Sequence, residues 1–247
     1  MNYIVGDIGN TTTRICLLNN SFSIIKSSLF DTKKIYKNYT KKIIKKFIRK
    51  KTNNIILFSS VVPQAFNKIK KNFNGTKYKV VEIKSLNLKK VIKFNIKNIK
   101  QVGSDRIVNA IGGKKFNNCL IVDFGTATTF DIVKNKVYEG GVIAPGVKLS
   151  MTNLTKSTAL LPFFSLKDSQ KKYGKNTKEA LNAGFLWGYE GLINNIIKKI
   201  TSKWTKKYKI ILTGGYASFF KKIIKGNTTV DQNITIKGIS KVYKDLL

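Results

Sequence analysis

The 247-residue chain has no histidine, only twelve acidic residues, two cysteines, three prolines and three arginines. Without histidine, acid–base chemistry falls to Asp, Glu, Lys, Tyr or Cys, and no zinc-ligand spacing exists. Cys16 and Cys119 stand alone in apolar runs and read as small buried hydrophobes. The apolar runs Ile55–Phe58, Leu120–Val122 and Ile210–Leu212 fall far short of the ~20 residues of a bilayer helix, so no membrane partner is expected. The opening Met-Asn-Tyr-Ile-Val-Gly-Asp has neither a basic nor an apolar signal region, which makes a cytoplasmic location the expectation. Gly112-Gly113-Lys114-Lys115 lacks the upstream glycine and the Ser/Thr of a Walker loop, and no dinucleotide-type GxGxxG occurs.

What is present suffices for a folded core. The chain is 42% apolar and 11% aromatic, and a chain of this length buries roughly 70–75% of its unfolded surface in one or two domains. The net charge of +35 invites a nucleic-acid reading by counterion release. Yet 44 of the 47 basic residues are lysine, against Arg14, Arg49 and Arg106, whereas base-edge and bidentate phosphate recognition favour arginine. The lysines run through the whole chain, alongside 24 Asn and 32 Ile but only 8 Ala, a pattern of A+T-rich codon usage. No specific nucleic-acid partner is expected; the charge attracts anionic substrates in general.

Strand signals at Tyr3–Val5 and Thr13–Leu18 flank a turn at Gly6-Asp7-Ile8-Gly9-Asn10 and predict a hairpin. Helical spacing predicts helices over Tyr36–Lys51 and Gln64–Phe73, with strands at Ile55–Ser59 and Lys77–Ile83. Gly103-Ser104-Asp105-Arg106 opens a helix through Ile111, with Ser104 or Asp105 at the N-cap. Residues 5–13 repeat as 121–129 at a constant offset of 116, so that Asp7, Gly9, Thr12 and Thr13 align with Asp123, Gly125, Thr128 and Thr129. One such turn is also an ordinary hairpin bend. Two copies half a chain apart predict two lobes on the same hairpin with a cleft between them, bounded near Gly112–Asn118: an N-terminal lobe over 1–113 and a C-terminal lobe over 114–247.

A carboxylate on a tight turn, followed by glycine and hydroxyl residues, suits a polyphosphate and its hydrated Mg²⁺. Asp7, Gly9, Asn10, Thr11, Thr12 and Thr13 supply one such loop, and Asp123, Gly125, Thr126 and Thr128 the other. Thr213-Gly214-Gly215-Tyr216 follows a strand, where glycines either admit a base or ribose or serve the turn alone. Gly140-Gly141 to Pro145-Gly146 reads as a stiffened loop, either a plain connection or substrate-facing. Asp105 is the preferred general base, beside Arg106 at a helix start; considered alone it is also a helix cap.

Together these residues resemble type III pantothenate kinase, of the acetate and sugar kinase/Hsc70/actin superfamily. The match runs in order through Asp7-Ile8-Gly9-Asn10-Thr11, Gly103-Ser104-Asp105-Arg106, Asp123-Phe124-Gly125-Thr126-Ala127-Thr128, Gly140-Gly141 to Pro145-Gly146, Asn176-Thr177 and Thr213-Gly214-Gly215. The resemblance implies an α/β, two-lobed, duplicated actin-like (ribonuclease H-like) fold. It implies ATP-dependent phosphorylation of pantothenate, the first step towards coenzyme A, by a homodimer needing Mg²⁺ and K⁺ or NH₄⁺. Carried over, Asp7, Ile8, Gly9, Asn10, Thr11, Thr12, Thr13 and Arg14 bind ATP, with Asp7 meeting magnesium through water and Thr126 adding a nucleotide contact. Gly103, Ser104, Asp105 and Arg106 bind pantothenate, with Asp105 as proton acceptor; Asp123 takes the monovalent cation; Thr177 touches substrate across the dimer. Where the family commonly has Tyr and Pro, seven and four residues before Gly103, this chain has Ile96 and Ile99. Other readings are a non-catalytic or regulatory relative, such as a transcription accessory factor, and a nucleic-acid-binding protein.

Overall fold

The computed structural model describes residues 1–37, 39–48, 51–169 and 173–247. Its first half holds strands β1 (Asn2–Ile8), β2 (Thr12–Leu18), β3 (Ile24–Asp31), β4 (Thr52–Ser60), β5 (Lys79–Glu82) and β6 (Lys93–Phe94), with helices α1 (Tyr39–Phe47), α2 (Pro63–Asn72) and α3 (Ser104–Gly113). There follow β7 (Cys119–Phe124), β8 (Ala127–Lys134), β9 (Val137–Pro145), α4 (Val147–Lys156), α5 (Thr177–Thr201), β10 (Lys209–Gly214), α6 (Ala217–Phe220), β11 (Thr228–Val230) and α7 (Ile234–Leu246). Two compact units result: Met1–Asn117 with Asp131–Gly140 and Asn233–Leu247, and Asn118–Phe130 with Gly141–Gln232.

In the first unit the sheet order is β3-β2-β1-β4-β5. The short turn after β1 permits only an antiparallel β2, and β3 pairs antiparallel with β2. The return to β4 and then β5 is parallel, which needs crossovers, and these carry α1 and α2. Ile4, Ile8, Ile15, Leu17, Ile44, Phe47, Phe58 and Ile69 fill the core on one side, each such side chain contributing about 1.5–3 kcal/mol of burial. On α7 and α3 the backbones approach so closely that a Cβ on Gly238 would strike Val108 O, and α7 also packs on β1 and β4. Tyr243 Oη of α7 donates to Ile55 O at 2.8 Å. The C-terminal helix thus completes the N-terminal sheet.

The second sheet has the order β11-β10-β7-β8-β9-β6, with β10 parallel to both β7 and β11. Read without the two-residue β6, the series β9-β8-β7-β10-β11 matches β3-β2-β1-β4-β5 strand for strand. The expected duplicated α/β fold is therefore present in the strand order itself.

Several local expectations change. The segment expected as one helix over Tyr36–Lys51 is a 3₁₀ turn at Thr32–Lys37 followed by α1; Asn38, Arg49 and Lys50 lie outside the described residues. Gly140–Pro145, expected as a loop, is the second half of β9. No helix among the described residues is long and apolar enough to cross a membrane.

The repeat also shifts. Three residues, 9–11, join β1 to β2, but only two, 125–126, join β7 to β8. Gly9 N donates to Thr12 O at 3.0 Å, whereas Gly125 N donates to Ala127 O at 3.1 Å. Beyond the turn the structural equivalents are thus 115 apart, not 116. The buried threonine is Thr13 in the first copy and Thr128 in the second, because a one-residue slip exchanges the faces of a strand. Ile15 then corresponds to Phe130 and Cys16 to Asp131, all four buried.

Candidate active site

At the carboxyl end of β1, Asp7 lies opposite Arg14 on β2 and beside Ser59 on β4. The loop after it is held from beneath by Thr32, whose backbone N donates to Thr11 O at 2.9 Å and whose Oγ1 donates to Gly9 O at 2.7 Å. With that one hydroxyl proton used, Thr13 Oγ1 must donate to Thr32 Oγ1, 3.0 Å away. Ile8 and Thr13 are buried in this support, while the side chains of Asn10, Thr11 and Thr12 are exposed. Arg14 donates from Nε to Ser27 Oγ at 3.0 Å and from Nη2 to Asn233 Oδ1 at 2.7 Å.

The end of β4 ties this loop to α3. Val61 N donates to Ile8 O at 3.1 Å, Ser60 N donates to Ser104 Oγ at 2.8 Å, and Ser104 Oγ donates back to Ser60 O at 2.6 Å. This pairing corrects the expected cap: the N-cap is Gly103, without a side-chain cap bond, because the Ser104 hydroxyl is spent on β4. Asp105 is turned back over the helix start, where its Oδ1 accepts from Arg106 N at 2.8 Å and leaves no room for a Cβ on Gly103. Burial raises the Asp105 pKa above the ordinary aspartate value, opposed by the Arg106 amide and the Arg106 charge. Lys84 Nζ donates to Lys100 O at 2.8 Å and Val102 O at 3.0 Å, fixing the approach to Gly103.

Two residues not singled out in the sequence complete this cluster. Asp131 on β8 is fully buried; its Oδ1 accepts from Arg106 Nε at 2.7 Å and from Tyr138 Oη at 3.0 Å. Burial pushes the Asp131 carboxyl up to about 7, with Arg106 and Tyr138 pulling it back towards the carboxylate. A signal was present: an acid inside Phe130-Asp131-Ile132-Val133, in a chain with twelve acids, is a buried charge needing a partner. Ile96, where the resemblance implies a tyrosine, has its Cγ2 3.5 Å from where a Cβ on Gly140 would sit.

The second unit repeats the arrangement with other residues. Asp123, one residue before the end of β7, lies opposite Thr213 on β10. Gly214 has φ +84°, and a Cβ there would lie 2.6 Å from both Asp123 Oδ1 and Phe124 O. Gly125 and Thr126 are exposed at the turn, and the backbone of Thr126 rests against Gly146, where no Cβ fits. Thr128 Oγ1 donates to Pro145 O at 3.1 Å, and Tyr189 Oη bonds Ser150 Oγ at 2.7 Å, fixing the start of α4. Thr177 is the exposed first residue of α5, after Asn176, whose Oδ1 accepts from Glu179 N at 3.0 Å. The structure therefore gathers Asp7, Ser104, Asp105 and Arg106 on one unit, and Asp123, Gly125 and Thr126 on the other; Thr177 belongs to neither cluster.

The donor sets suit cations. The spot beside Gly214, with two oxygens about it and no side chain, fits a hard cation that takes oxygen ligands. No group of three or more His, Cys, Asp or Glu gathers among the described residues, and Asp7 stands on a loop rich in amides and hydroxyls. That suits Mg²⁺, which keeps its waters and is usually bound through one or two carboxylates plus substrate phosphates.

Among solved structures, a Campylobacter jejuni protein assigned to the Baf family of transcriptional activators is similar at TM-score 0.65 and 20% identity, over 98% of this chain and 97% of that one. A Sinorhizobium meliloti protein assigned as a 2-dehydro-3-deoxygalactonokinase matches at TM-score 0.59 and 9% identity, over 98% and 96%. At such identities the likeness concerns the fold. Sequence relatives go further: the type III pantothenate kinase of Pelagibacter ubique is 48% identical over 96% of each chain, and that of a Sulfurihydrogenibium species 35% identical over 94% of this chain and 96% of its own. The family model for type III pantothenate kinase matches residues 3–199, and this span includes the Asp7 loop, the Gly103–Arg106 helix start and the Asp123 hairpin. On that agreement, the chain belongs to the type III pantothenate kinase family.

Proposed function

We infer that the protein phosphorylates pantothenate with ATP, giving 4'-phosphopantothenate and ADP, the first step of coenzyme A synthesis. The observation that carries the mechanism is the Ser60–Ser104 pairing, which brings a phosphate-type loop and a half-buried carboxylate to one end of the first sheet. Phosphoryl transfer needs chiefly positioning and charge stabilisation, with a carboxylate orienting the attacking hydroxyl. Asp105 takes the proton of the primary hydroxyl of pantothenate as its oxygen attacks the γ-phosphorus and ADP leaves. Gly103, Ser104 and Arg106 bind the acceptor around it. Asp7, Ile8, Gly9, Asn10, Thr11, Thr12, Thr13 and Arg14 form the ATP loop, in which Thr13 serves from the buried side, and Thr126 adds a nucleotide contact. Bound Mg²⁺ and a K⁺ or NH₄⁺ ion supply charge neutralisation at the phosphates; Asp7 would hold the first through water and Asp123 the second.

A homodimer follows from the same reading, with Thr177 reaching substrate across it. Ile143, Leu149, Leu160, Phe163, Tyr173 and Trp187 of the second unit are exposed apolar side chains of the kind a second copy covers. The place of action is the cytoplasm; of the lobes expected at 1–113 and 114–247, the second gives up Asp131–Gly140 and Asn233–Leu247 to the first compact unit. The test is a coupled assay of ADP release with and without pantothenate. Pantothenate should stimulate turnover, and Asp105→Asn should reduce it about 10²–10⁴-fold with ATP binding little changed, the usual scale for a general base. The base must be ionised to act, and burial raises its pKa, so kcat/KM should fall on acidification at a pH above the ordinary aspartate value of about 4. Turnover indifferent to pantothenate would mark an ATPase instead.

A further inference from the structure

We propose that Asp131 and Tyr138 are positioning residues for acceptor binding: they hold the Arg106 guanidinium by its Nε edge and leave its remaining donors for the anionic end of the acceptor. The proposal rests on the reading that Arg106 binds pantothenate.

Asp131 is wholly enclosed, and enclosing a carboxylate is unfavourable unless it is paired and hydrogen-bonded. The fold does not require an acid there. In the first copy of the hairpin the equivalent strand position is Cys16, buried as a small near-apolar side chain. What the acid does instead is visible in its partners. A single oxygen, Oδ1, receives both Arg106 Nε at 2.7 Å and Tyr138 Oη at 3.0 Å. Tyr138 is itself fixed: it is fully buried, its ring meets Phe94 edge-on at 6.1 Å, and its backbone O accepts from Asn95 N at 2.9 Å.

Guanidinium presents five N–H donors in a rigid fork, so fixing Nε sets the direction of the other four. Among the described residues Arg106 Nη2, itself buried, donates to no protein group and the side chain's ion pair is with Asp131, while 13% of the side chain stays exposed. A carboxylate at the far end of the acceptor is the group such a fork recognises. Asp131 touches no substrate in this account; it acts through Arg106.

The experiment is steady-state kinetics on the full-length protein, with pantothenate varied at saturating ATP and then the reverse. The variants are Arg106→Gln, Asp131→Asn, Tyr138→Phe and the Arg106→Gln/Asp131→Asn double variant, each checked for folding by thermal denaturation. Asp131→Asn should raise the KM for pantothenate about ten- to a hundredfold, the scale of a hydrogen bond to a charged group, while changing the KM for ATP less than about twofold. Tyr138→Phe, which keeps both charges, should raise the pantothenate KM about two- to fivefold, the scale of a hydroxyl hydrogen bond. In the Arg106→Gln background Asp131→Asn should add little, since both act through one contact. If Asp131→Asn does not fold, Tyr138→Phe decides alone. An unchanged pantothenate KM in the Asp131 and Tyr138 variants, beside a raised one in Arg106→Gln, overturns the proposal and leaves the role of Arg106 standing. An unchanged KM in Arg106→Gln removes that role, and the proposal with it. Equal losses for both substrates, tracking thermal stability, make Asp131 structural and likewise overturn the proposal.

Discussion

The two hairpins begin alike and end differently. Each places an aspartate, Asp7 or Asp123, at the carboxyl end of the first strand, and a parallel neighbour beside it, β4 or β10. From there the first copy uses hydroxyls: Ser59 and Ser60 end β4, Ser104 staples α3 to it, and Thr32 props a three-residue turn. The second uses the absence of side chains, with Gly146 under the two-residue turn and Gly214 beside the aspartate. A propped loop with outward amides and hydroxyls suits phosphate, whereas an open spot lined by oxygens suits a bare cation. The two copies share the frame and differ in the few residues at the strand ends.

The largest effect should come from exchanging the two aspartates' fates. Asp7→Ala and Asp123→Ala should each lower turnover about a hundred- to a thousandfold, the range for losing one electrostatic contact to a transition state. They should differ in kind. With K⁺ replaced by Na⁺, the residual activity of Asp7→Ala should still fall, while that of Asp123→Ala should no longer respond. Equal responses to the alkali ion in both variants would remove the division of labour.

Next in size is a change of stability. Cys16 and Asp131 occupy equivalent strand positions, but Asp131 is ion-paired with Arg106, whereas the Cys16 thiol lies beside Ser27 and Arg14 as a neutral group. Cys16→Asp therefore buries a carboxylate in a place built for a thiol, where Arg14 is already engaged with Ser27 and Asn233 and offsets only part of the desolvation, and should destabilise the protein by about 2–4 kcal/mol in urea denaturation. A loss under about 1 kcal/mol, within the range of harmless surface changes, would mean that the first unit can accommodate the acid and that the contrast with Asp131 is empty.

That pair also shows where the amino-acid sequence is legible and where it stops. Asp7, Gly9, Asp123 and Gly125 are readable because turn chemistry is local: a carboxylate, a glycine and hydroxyls within a few residues already define a loop. The duplication is readable once the repeat is seen, since the same hairpin twice predicts two lobes, but the order of the parallel strands beside each hairpin is set by tertiary pairing. The one-residue slip between the copies is not, because it depends on whether Thr12 or Ala127 closes the turn, and the ungapped alignment hides it. The cap at Gly103 fails for a similar reason: Ser104 is a good cap by residue type, but Ser60, 44 residues away, takes its hydroxyl. Gly140-Gly141 reads as a turn on composition, yet both residues lie within β9, where Gly140 takes a φ of +103° that glycine permits inside a strand. Arg106 could be placed in the site, but its orientation by Asp131 and Tyr138 is a tertiary fact.

A smaller effect separates the two kinds of support. Gly214→Ala adds a methyl group at φ +84° against Asp123 Oδ1 and Phe124 O, and should cost about 1–3 kcal/mol in backbone strain and displace the aspartate. Gly9→Ala meets Thr12 O at 3.0 Å without a positive φ, so the neighbour need move only slightly and the loss should be smaller. Thermal denaturation, followed by K⁺ titration of activity, checks both. If Gly9→Ala proves the more damaging of the two, the second turn is not the more tightly constrained one.

The smallest effect concerns the prop of the first loop. Thr32→Val keeps the shape of the side chain and removes its hydroxyl, so Gly9 O loses its donor and Thr13 Oγ1 loses its acceptor. The backbone bond from residue 32 to Thr11 O survives the change, and the turn keeps its Gly9–Thr12 closure. The net cost should therefore be about 1–2 kcal/mol, that of ordinary neutral hydrogen bonds with one buried hydroxyl left unsatisfied. If the loop binds phosphate as proposed, the KM for ATP should rise a few-fold, roughly in line with that energy, while the KM for pantothenate and the K⁺ dependence stay as they were. A Thr32→Val protein whose ATP affinity is unchanged would show that the exposed Asn10, Thr11 and Thr12 hold the nucleotide without help from beneath.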